Sequence, residues 1–523
     1  MNLTNPLKRW AFLAVASLSI GGFQCKSPQP ADEKPGNNYA RIDSTDTEAD
    51  IIRKAANVVP SDRQFRWQQL ELTAFIHFGV NTFTNKEWGD GTESPEIFNP
   101  TSLDADQWAQ ICKAAGVKLM ILTAKHHDGF CLWPSKFTEH SVKNSPWKNG
   151  QGDVVKEAVD ACRRVGIGFG VYLSPWDRNS PYFGDSAKYN DYFINQLTEL
   201  LTQYGKIDEV WFDGANGEGP NGKQQVYDFD RWYNHIRELQ PDAIIAVMGP
   251  DVRWVGTETG YGRDTEWSVV PVDEQQQDKI AQNSQQNVSF TPKNMMDDDL
   301  GSRDKIFKAR SLVWYPAETD VSIRPGWFYH REEDDQVKSP EKLLDIYFNS
   351  VGKNGVLLLN IPPDKRGKIH QNDSLSLIQW KSLLDETFSV NLLKGSKVSV
   401  SSGKFSSGND ASGMTDGAYS SYWIADESDT TAVIEFQLSE KIKFDVLMLQ
   451  EYIKKGQRIE SFVLEYNDGD NWKEIVGGTT VGYKRLLRFD EVDANRIRLR
   501  ITASRLNPTI AEIGLYRYPV TSK

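Results

Sequence analysis

The sequence predicts an α/β chain of two domains, a (β/α)8-like barrel followed by an antiparallel β-sandwich of the jelly-roll kind. Three observations predict it. Between residues 71 and 388, short apolar runs alternate with amphipathic stretches in the order strand, helix, strand, which is how a parallel sheet covered by helices reads. Past residue 388 that rhythm stops. Short alternating stretches take over, separated by Gly, Asn and Asp turns, as antiparallel strands require. Finally, 523 residues exceed one ordinary domain and suffice for a large core plus a second unit.

Taken in order, the chain begins with Lys8 and Arg9 ahead of an apolar run over residues 10–20, too short to span a bilayer and suited to an export signal. Residues 1–25 therefore read as a signal peptide. Cys25 follows, and its place resembles that of the lipidated cysteine of bacterial lipoproteins, although Gly22-Phe23-Gln24 departs from the usual small-residue box. The expectation is an exported bacterial protein, periplasmic or at the cell surface, touching membrane only through a lipid at Cys25. Residues 26–50, polar and carrying Pro28, Pro30, Pro35 and Gly36, read as a tether.

The barrel is expected over residues 51–388. Strands are predicted at 71–79, 118–125, 166–174, 208–212 and 243–248, with helices at 105–115, 154–165, 189–204 and 229–239. The span 272–304, Gln-rich and carrying Asp297-Asp298-Asp299, reads as a long loop over the pocket, its acidic triplet a solvated face. Strand seven is placed at 312–316, strand eight at 355–361, and a closing helix at 374–388. The sandwich occupies 389–523, with strands at 397–401, 432–437, 446–451, 461–466, 485–489 and 496–501.

Composition narrows the partners. Acidic residues (72) exceed basic ones (60), the formal charge is −12, and no long basic run stands out, so nucleic acid is not an expected partner. Cys112, Cys131 and Cys162 lack metal-like spacing and read as buried thiols. No metal or cofactor is expected. The 16 Trp and 19 Tyr often neighbour Gly, Asp or Pro, a placement that suits sugar stacking as well as core packing.

The chemistry gathers at strand ends. Val210, Trp211 and Phe212 form an apolar strand that stops at Asp213-Gly214, which leaves a carboxylate at the C-terminal tip, where barrels do their chemistry. An isolated aspartate there ordinarily makes a turn. Its company argues for more: His77 follows strand one, Lys125-His126-His127-Asp128 follows strand two, and Tyr172, Ser174 and Trp176 lie near the end of strand three. His126 and His127 can both face a cavity only where the chain is leaving its strand, since adjacent strand residues point oppositely. Paired imidazoles also raise a metal site, but no i, i+4 His pair or Cys cluster supports one.

The blocks Phe75-Ile76-His77-Phe78-Gly79, Glu87-Trp88-Gly89, Lys125-His126-His127-Asp128-Gly129-Phe130, Tyr172-Leu173-Ser174-Pro175-Trp176 and Trp211-Phe212-Asp213-Gly214 resemble, in this order, the α-L-fucosidases of glycoside hydrolase family 29. The resemblance implies a retaining exo-α-L-fucosidase acting on fucosylated oligosaccharides or glycoconjugates, with Asp213 as nucleophile. It places His77, Glu87, Trp88, His126 and His127 on the sugar hydroxyls. Tyr172 and Trp327, the latter in Arg324-Pro325-Gly326-Trp327-Phe328-Tyr329, join them as candidate sugar contacts. For the acid/base, Glu258 in Trp254-Val255-Gly256-Thr257-Glu258-Thr259-Gly260 resembles the block of the subgroup that prefers α1,3/α1,4-linked fucose. Glu266 in Asp264-Thr265-Glu266-Trp267-Ser268 is the alternative.

The C-terminal unit is similar to discoidin-type (F5/8 type C) sandwiches of the kind found in family 32 carbohydrate-binding modules. The similarity rests on Thr415-Asp416-Gly417, Tyr422-Trp423, Leu449-Gln450-Glu451, Gly456-Gln457-Arg458-Ile459 and Gly482-Tyr483-Lys484-Arg485, and Asp416 and Trp423 are expected to be structural. Two other functions stay open at this point: a glycan-binding protein with an inactive barrel, and another retaining exo-α-glycosidase.

Overall fold

The computed structural model describes residues 37–271, 297–406, 408 and 411–519. The expected signal peptide, Cys25 and most of the 272–304 loop lie outside these residues. From the N-terminal side, β1 (Tyr39–Arg41), α1 (Glu48–Asn57) and α2 (Asp62–Gln68) precede β2 (Leu72–Ile76). Residues 37–50, expected as the end of a tether, are folded instead: Thr47 caps α1 and exchanges hydrogen bonds with Asp50, a capping box the polar composition concealed.

The barrel then proceeds through α3 (Val80–Thr84), α4 (Ala105–Ala114), β3 (Leu119–Lys125), α5 (Val154–Val165), β4 (Gly168–Leu173), α6 (Ser186–Gln203), β5 (Glu209–Phe212), α7 (Phe229–Leu239) and β6 (Ile244–Val247). After the two-residue β7 (Arg253–Trp254) come β8 (Val269–Pro271), α8 (Arg303–Ile306), β9 (Ser311–Trp314), β10 (Ala317–Ser322), α9 (Pro340–Ser350), β11 (Val356–Asn360) and α10 (Gln371–Phe388). The eight-stranded sheet runs β6-β5-β4-β3-β2-β11-β10-β7, every pair parallel, and stops short of closure at the β6 and β7 edges.

One barrel strand differs from expectation. The run 312–316 is not strand seven: its residues make β9, which pairs antiparallel with β1 and β8 in a separate three-stranded sheet. Strand seven is β10, where Glu318, Thr319 and Asp320 are all buried. A strand that carries its acids inward has no apolar run to reveal it.

Helix propensity and caps explain the covering layer. In α5, Asp153 caps the first turn by accepting from Lys156 N at 2.8 Å, and Gly166, at φ 72°, ends the helix in the left-handed conformation that favours glycine. Outward-facing strand residues such as Ile76, Leu122, Val171 and Phe212 pack against the helices, whereas Phe75, Ile121, Tyr172, Trp211 and Leu358 fill the barrel interior. The alternation along each strand therefore sends one set of side chains up the inside toward the mouth.

The second domain comprises β12 (Lys397–Val400), β13 (Lys404–Phe405), β14 (Trp423–Ile424), β15 (Ala432–Gln450), β16 (Ile459–Asn467), β17 (Trp472–Gly478), β18 (Arg485–Ser504), β19 (Thr509–Ile510) and β20 (Glu512–Tyr516). Its larger sheet runs β12-β15-β18-β16-β17, with β20 on β15; its smaller one runs β13-β14-β19. The predicted pairs 432–437 with 446–451 and 485–489 with 496–501 are each halves of one long strand, bent at register shifts. Phe436, Phe444, Leu447, Phe462 and Ile513 are buried in its own core.

Candidate active site

Three barrel strands place the carboxylate at the centre. Asp213 follows β5 and is partly open to the mouth, with 27% of its side chain exposed. Its Oδ1 accepts from Ala215 N at 2.7 Å, a turn the Gly214 backbone permits, and its Oδ2 accepts from the Tyr172 hydroxyl at 3.1 Å. Burial and the adjacent Asp213 charge push the Tyr172 hydroxyl well above its usual 10, so it stays a donor. The Tyr172 ring is stacked on Trp211 and on His126, which fixes the direction of that hydrogen bond.

Two of the histidines here, His127 and His77, have defined tautomers. His127 Nδ1 meets Ser174 Oγ at 2.7 Å, and because the Ser174 hydroxyl donates to the Trp176 carbonyl at 2.6 Å, Nδ1 carries the proton. Nε2 is then the lone-pair side, 3.9 Å from Asp213 Oδ2. His77 behaves alike: Asn360 donates its amide to Ser322 Oγ (2.9 Å) and the Trp327 carbonyl (2.7 Å), so its Oδ1 accepts from His77 Nδ1 at 2.8 Å. Burial lowers His77 to about 3 and also depresses His126 and His127, the latter against the pull of Asp213. Neutral imidazoles with free Nε2 atoms accept hydrogen bonds from hydroxyl groups. His126 and His127 follow the last residue of β3, as the sequence required for both to face the mouth.

Trp88 is 48% exposed and meets His127 and Trp176 edge-on, at 5.3 and 5.7 Å between ring centres. It makes an open apolar rim. Glu87 is placed differently: it accepts from Trp327 N at 2.8 Å, Phe328 N at 3.2 Å and His330 Nε2 at 2.6 Å. It therefore holds the Trp327 loop as well as bordering the mouth. The Trp327 ring lies 5.2 Å from His77, and its indole Nε1 donates to Glu258 Oε2 at 3.3 Å.

The two candidate acids separate cleanly. Glu258 stands exposed at the rim with its carboxyl turned over the mouth, where partial desolvation, and then the charges of Asp213 and Glu87, raise it above its ordinary 4.5 against the Trp327 indole. Glu266 is buried, and its carboxylate is paired with Arg253 and with Arg263, the latter at 3.2 Å. Both of its oxygens are taken up by guanidinium groups.

Lys125 lies behind the site, buried between Asp177 and Gln196 at 2.9 Å each, and supports the floor. Below Asp213 the interior holds a column of acids the sequence did not single out. Glu209, Glu318 and Asp320 each take one indole donor, from Trp67 (3.0 Å), Trp211 (2.7 Å) and Trp254 (2.7 Å), and burial raises all three. Asn360, which orients His77, was also missed, although a lone Asn at the tip of an apolar strand is a readable signal. Among the described residues no cluster of His, Cys, Asp or Glu is arranged to hold a metal ion. Cys112, Cys131 and Cys162 are buried free thiols.

The α-L-fucosidase family model matches residues 54–384, nearly the whole barrel. The chain belongs to the α-L-fucosidases of glycoside hydrolase family 29. As a fucosidase it is a glycoside hydrolase, which answers the two alternatives the strand tips left open. It is 44% identical to α-L-fucosidase 1 of Arabidopsis thaliana over 464 residues, 88% of this chain and 87% of that one. A glycoside hydrolase 29 family member from an unknown rumen bacterium superposes with a TM-score of 0.72 at 40% identity, covering 89% of this chain and 78% of that one. A Ruminococcus gnavus GH29 fucosidase solved with fucose gives 0.76 at 35%, covering 88% and 95%. The F5/8 type C domain model matches residues 397–514 of the fucosidase. There Trp423 is buried and donates to the Ser402 carbonyl at 3.1 Å, while Asp416 accepts from Ala418 N at 2.7 Å in a turn.

Proposed function

We propose that the protein is a retaining exo-α-L-fucosidase that removes terminal α1,3/α1,4-linked L-fucose from glycans by double displacement, with Asp213 as nucleophile and Glu258 as acid/base. The observation that carries this reading is that two carboxyls from distant parts of the chain border one mouth in opposite surroundings. Asp213 is held in place by hydrogen bonds from the Tyr172 hydroxyl and Ala215 N. Glu258 is raised by desolvation and like charge, which favours the protonated acid. A retaining glycosidase needs the two about 5–5.5 Å apart.

In the first step Asp213 attacks the anomeric carbon while the Glu258 proton passes to the leaving glycosidic oxygen. In the second, Glu258 takes a proton from water, whose oxygen displaces Asp213 and restores the original anomeric configuration. His77 and His127, neutral and with Nε2 free, accept from fucose hydroxyls. His126, Glu87 and Trp88 complete the polar and apolar border, and Trp327 supplies a flat surface for the ring or its methyl group. The linkage preference rests on the likeness of the Glu258 block to one subgroup. Hydrolysis of a panel of defined fucosylated oligosaccharides tests it, and release of α1,2-linked fucose ahead of α1,3 and α1,4 overturns it.

Asp213→Ala is the direct test of the nucleophile. It should abolish turnover, and azide should restore part of it with a β-fucosyl azide as product; full activity without azide overturns the assignment. Glu258→Ala should spare an activated aryl fucoside far more than a natural glycan, and the reverse result, with Glu266→Ala showing the split, overturns the acid. We also propose export and lipid attachment at Cys25, on the charged and apolar residues that precede it. Cys25→Ser should move the protein from the membrane fraction to the soluble one, and an unchanged distribution refutes the lipid.

A further inference from the structure

The segment that carries Glu258 leaves the sheet at β7 and reaches β8, and a single carboxylate staples its two ends. Glu266 binds the Arg253 guanidinium on one oxygen and Arg263 on the other, and Arg253 Nη2 also donates to the Trp267 carbonyl at 2.9 Å. The staple has a reason to exist. β7 is two residues long, pairs among the described residues only with β10 and stands at the unclosed edge of the barrel, so hydrogen bonding along the described sheet fixes it from one side. Further out, Val255 N and Gly260 N donate to the Glu318 and Asp320 carbonyls at 2.9 and 3.1 Å, and between them residues 257–259 stand exposed.

The backbone of the staple is held by the second domain. Glu266 N donates to Thr480 Oγ1 at 3.0 Å. Gln457 accepts from Ser268 N at 2.7 Å and donates to the Glu266 carbonyl at 2.9 Å, an oxygen that Asn354 also reaches at 3.2 Å. Arg485 donates to the Asp264 carbonyl at 2.6 Å, and the Arg505 guanidinium lies 3.5 Å from the centre of the Trp267 ring. Thr480 and Gln457 are buried. Buried backbone groups must be paired, and here their partners come from the sandwich. A sugar-binding module joined by a linker has no need to supply them.

We propose that Thr480 and Gln457 are positioning residues for the hydrolytic reaction, fixing Glu266 and through it the loop that delivers Glu258, so that the F5/8-type domain is a working part of the active site. The inference rests on Glu258 being the acid/base. A general acid must lie within hydrogen-bond reach of the leaving oxygen, and a displacement of about 1 Å can cost on the order of a hundredfold in rate.

The test uses the full-length protein. Thr480→Val removes the hydroxyl at nearly constant volume, Gln457→Ala removes both amide contacts, and Thr480→Ser keeps the hydroxyl as the rescue. kcat/KM is measured on an aryl α-L-fucoside with an activated leaving group and on a fucosylated trisaccharide, with Glu258→Ala beside them. The double variant should lose about tenfold more on the trisaccharide than on the aryl fucoside, and Thr480→Ser should behave as the unaltered enzyme. Equal loss on both substrates, or loss on neither, overturns the inference while Glu258→Ala still separates them. If Glu258→Ala fails to separate them, the acid assignment falls and the inference falls with it. Should the double variant not fold, Gln457→Glu keeps the Ser268 acceptor, removes the donor to Glu266 and is held to the same outcomes.

Discussion

Replacing Trp327 by Phe tests the acid assignment through its electrostatics. Among the described residues the indole Nε1 is the one side-chain donor on Glu258 Oε2, at 3.3 Å, and it opposes the desolvation and like charge that raise this carboxyl. Phe keeps an aromatic ring on a backbone that is fixed independently, since Glu87 accepts from Trp327 N at 2.8 Å and Asn360 donates to the Trp327 carbonyl at 2.7 Å. The change therefore removes one donor from Glu258 and narrows the aromatic surface beside it. A well-made hydrogen bond to a charged group contributes about 1.5–3 kcal/mol, and a long one at an exposed rim about half of that or less after solvent screening. About 0.7–1.4 kcal/mol corresponds to roughly half to one pH unit. The donor stabilises the charged form, so its loss moves the Glu258 pKa up. The alkaline limb of kcat/KM on a fucosylated trisaccharide, where loss of the Glu258 proton ends activity, should shift upward by that amount. KM should rise as well, because the ring is smaller. An alkaline limb that stays in place or moves down refutes Glu258 as the proton donor.

Two further outcomes concern stability. Lys125→Met should destabilise the protein by about 3–5 kcal/mol in denaturant unfolding, because it leaves the Asp177 carboxylate buried without its partner; a change under about 1 kcal/mol contradicts the pairing. Glu209 is raised by burial above its ordinary 4.5, so the folded chain keeps a proton that the unfolded chain releases. Its contribution is complete below that ordinary value and is lost as pH climbs through the raised one. Glu209→Gln, which keeps the carbonyl acceptor for Trp67, should flatten the fall in Tm on the alkaline side, and an unchanged slope contradicts it.

What could be read from the sequence follows physical contrast. Asp213 was legible because an apolar strand ends on it and a glycine follows, and His126 and His127 because they sit where β3 stops. β10 was illegible for the opposite reason: its inward residues are Glu318 and Asp320, held by indole donors that come from other strands. Glu258 and Glu266 look alike in one dimension, each beside aromatics and threonine. What separates them is Arg253, thirteen positions before Glu266 and brought against it only by the fold. The tie between Thr480 and Glu266 spans 214 positions and leaves no local trace at all.

The most direct measurement is the anomer of fucose first released, followed by proton NMR from the moment of mixing enzyme with an α-L-fucoside. Double displacement through Asp213 and Glu258 predicts α-L-fucose at first, with the β anomer growing in at the rate of mutarotation. β-L-fucose as the initial product contradicts the account, because a single displacement leaves Asp213 no covalent role.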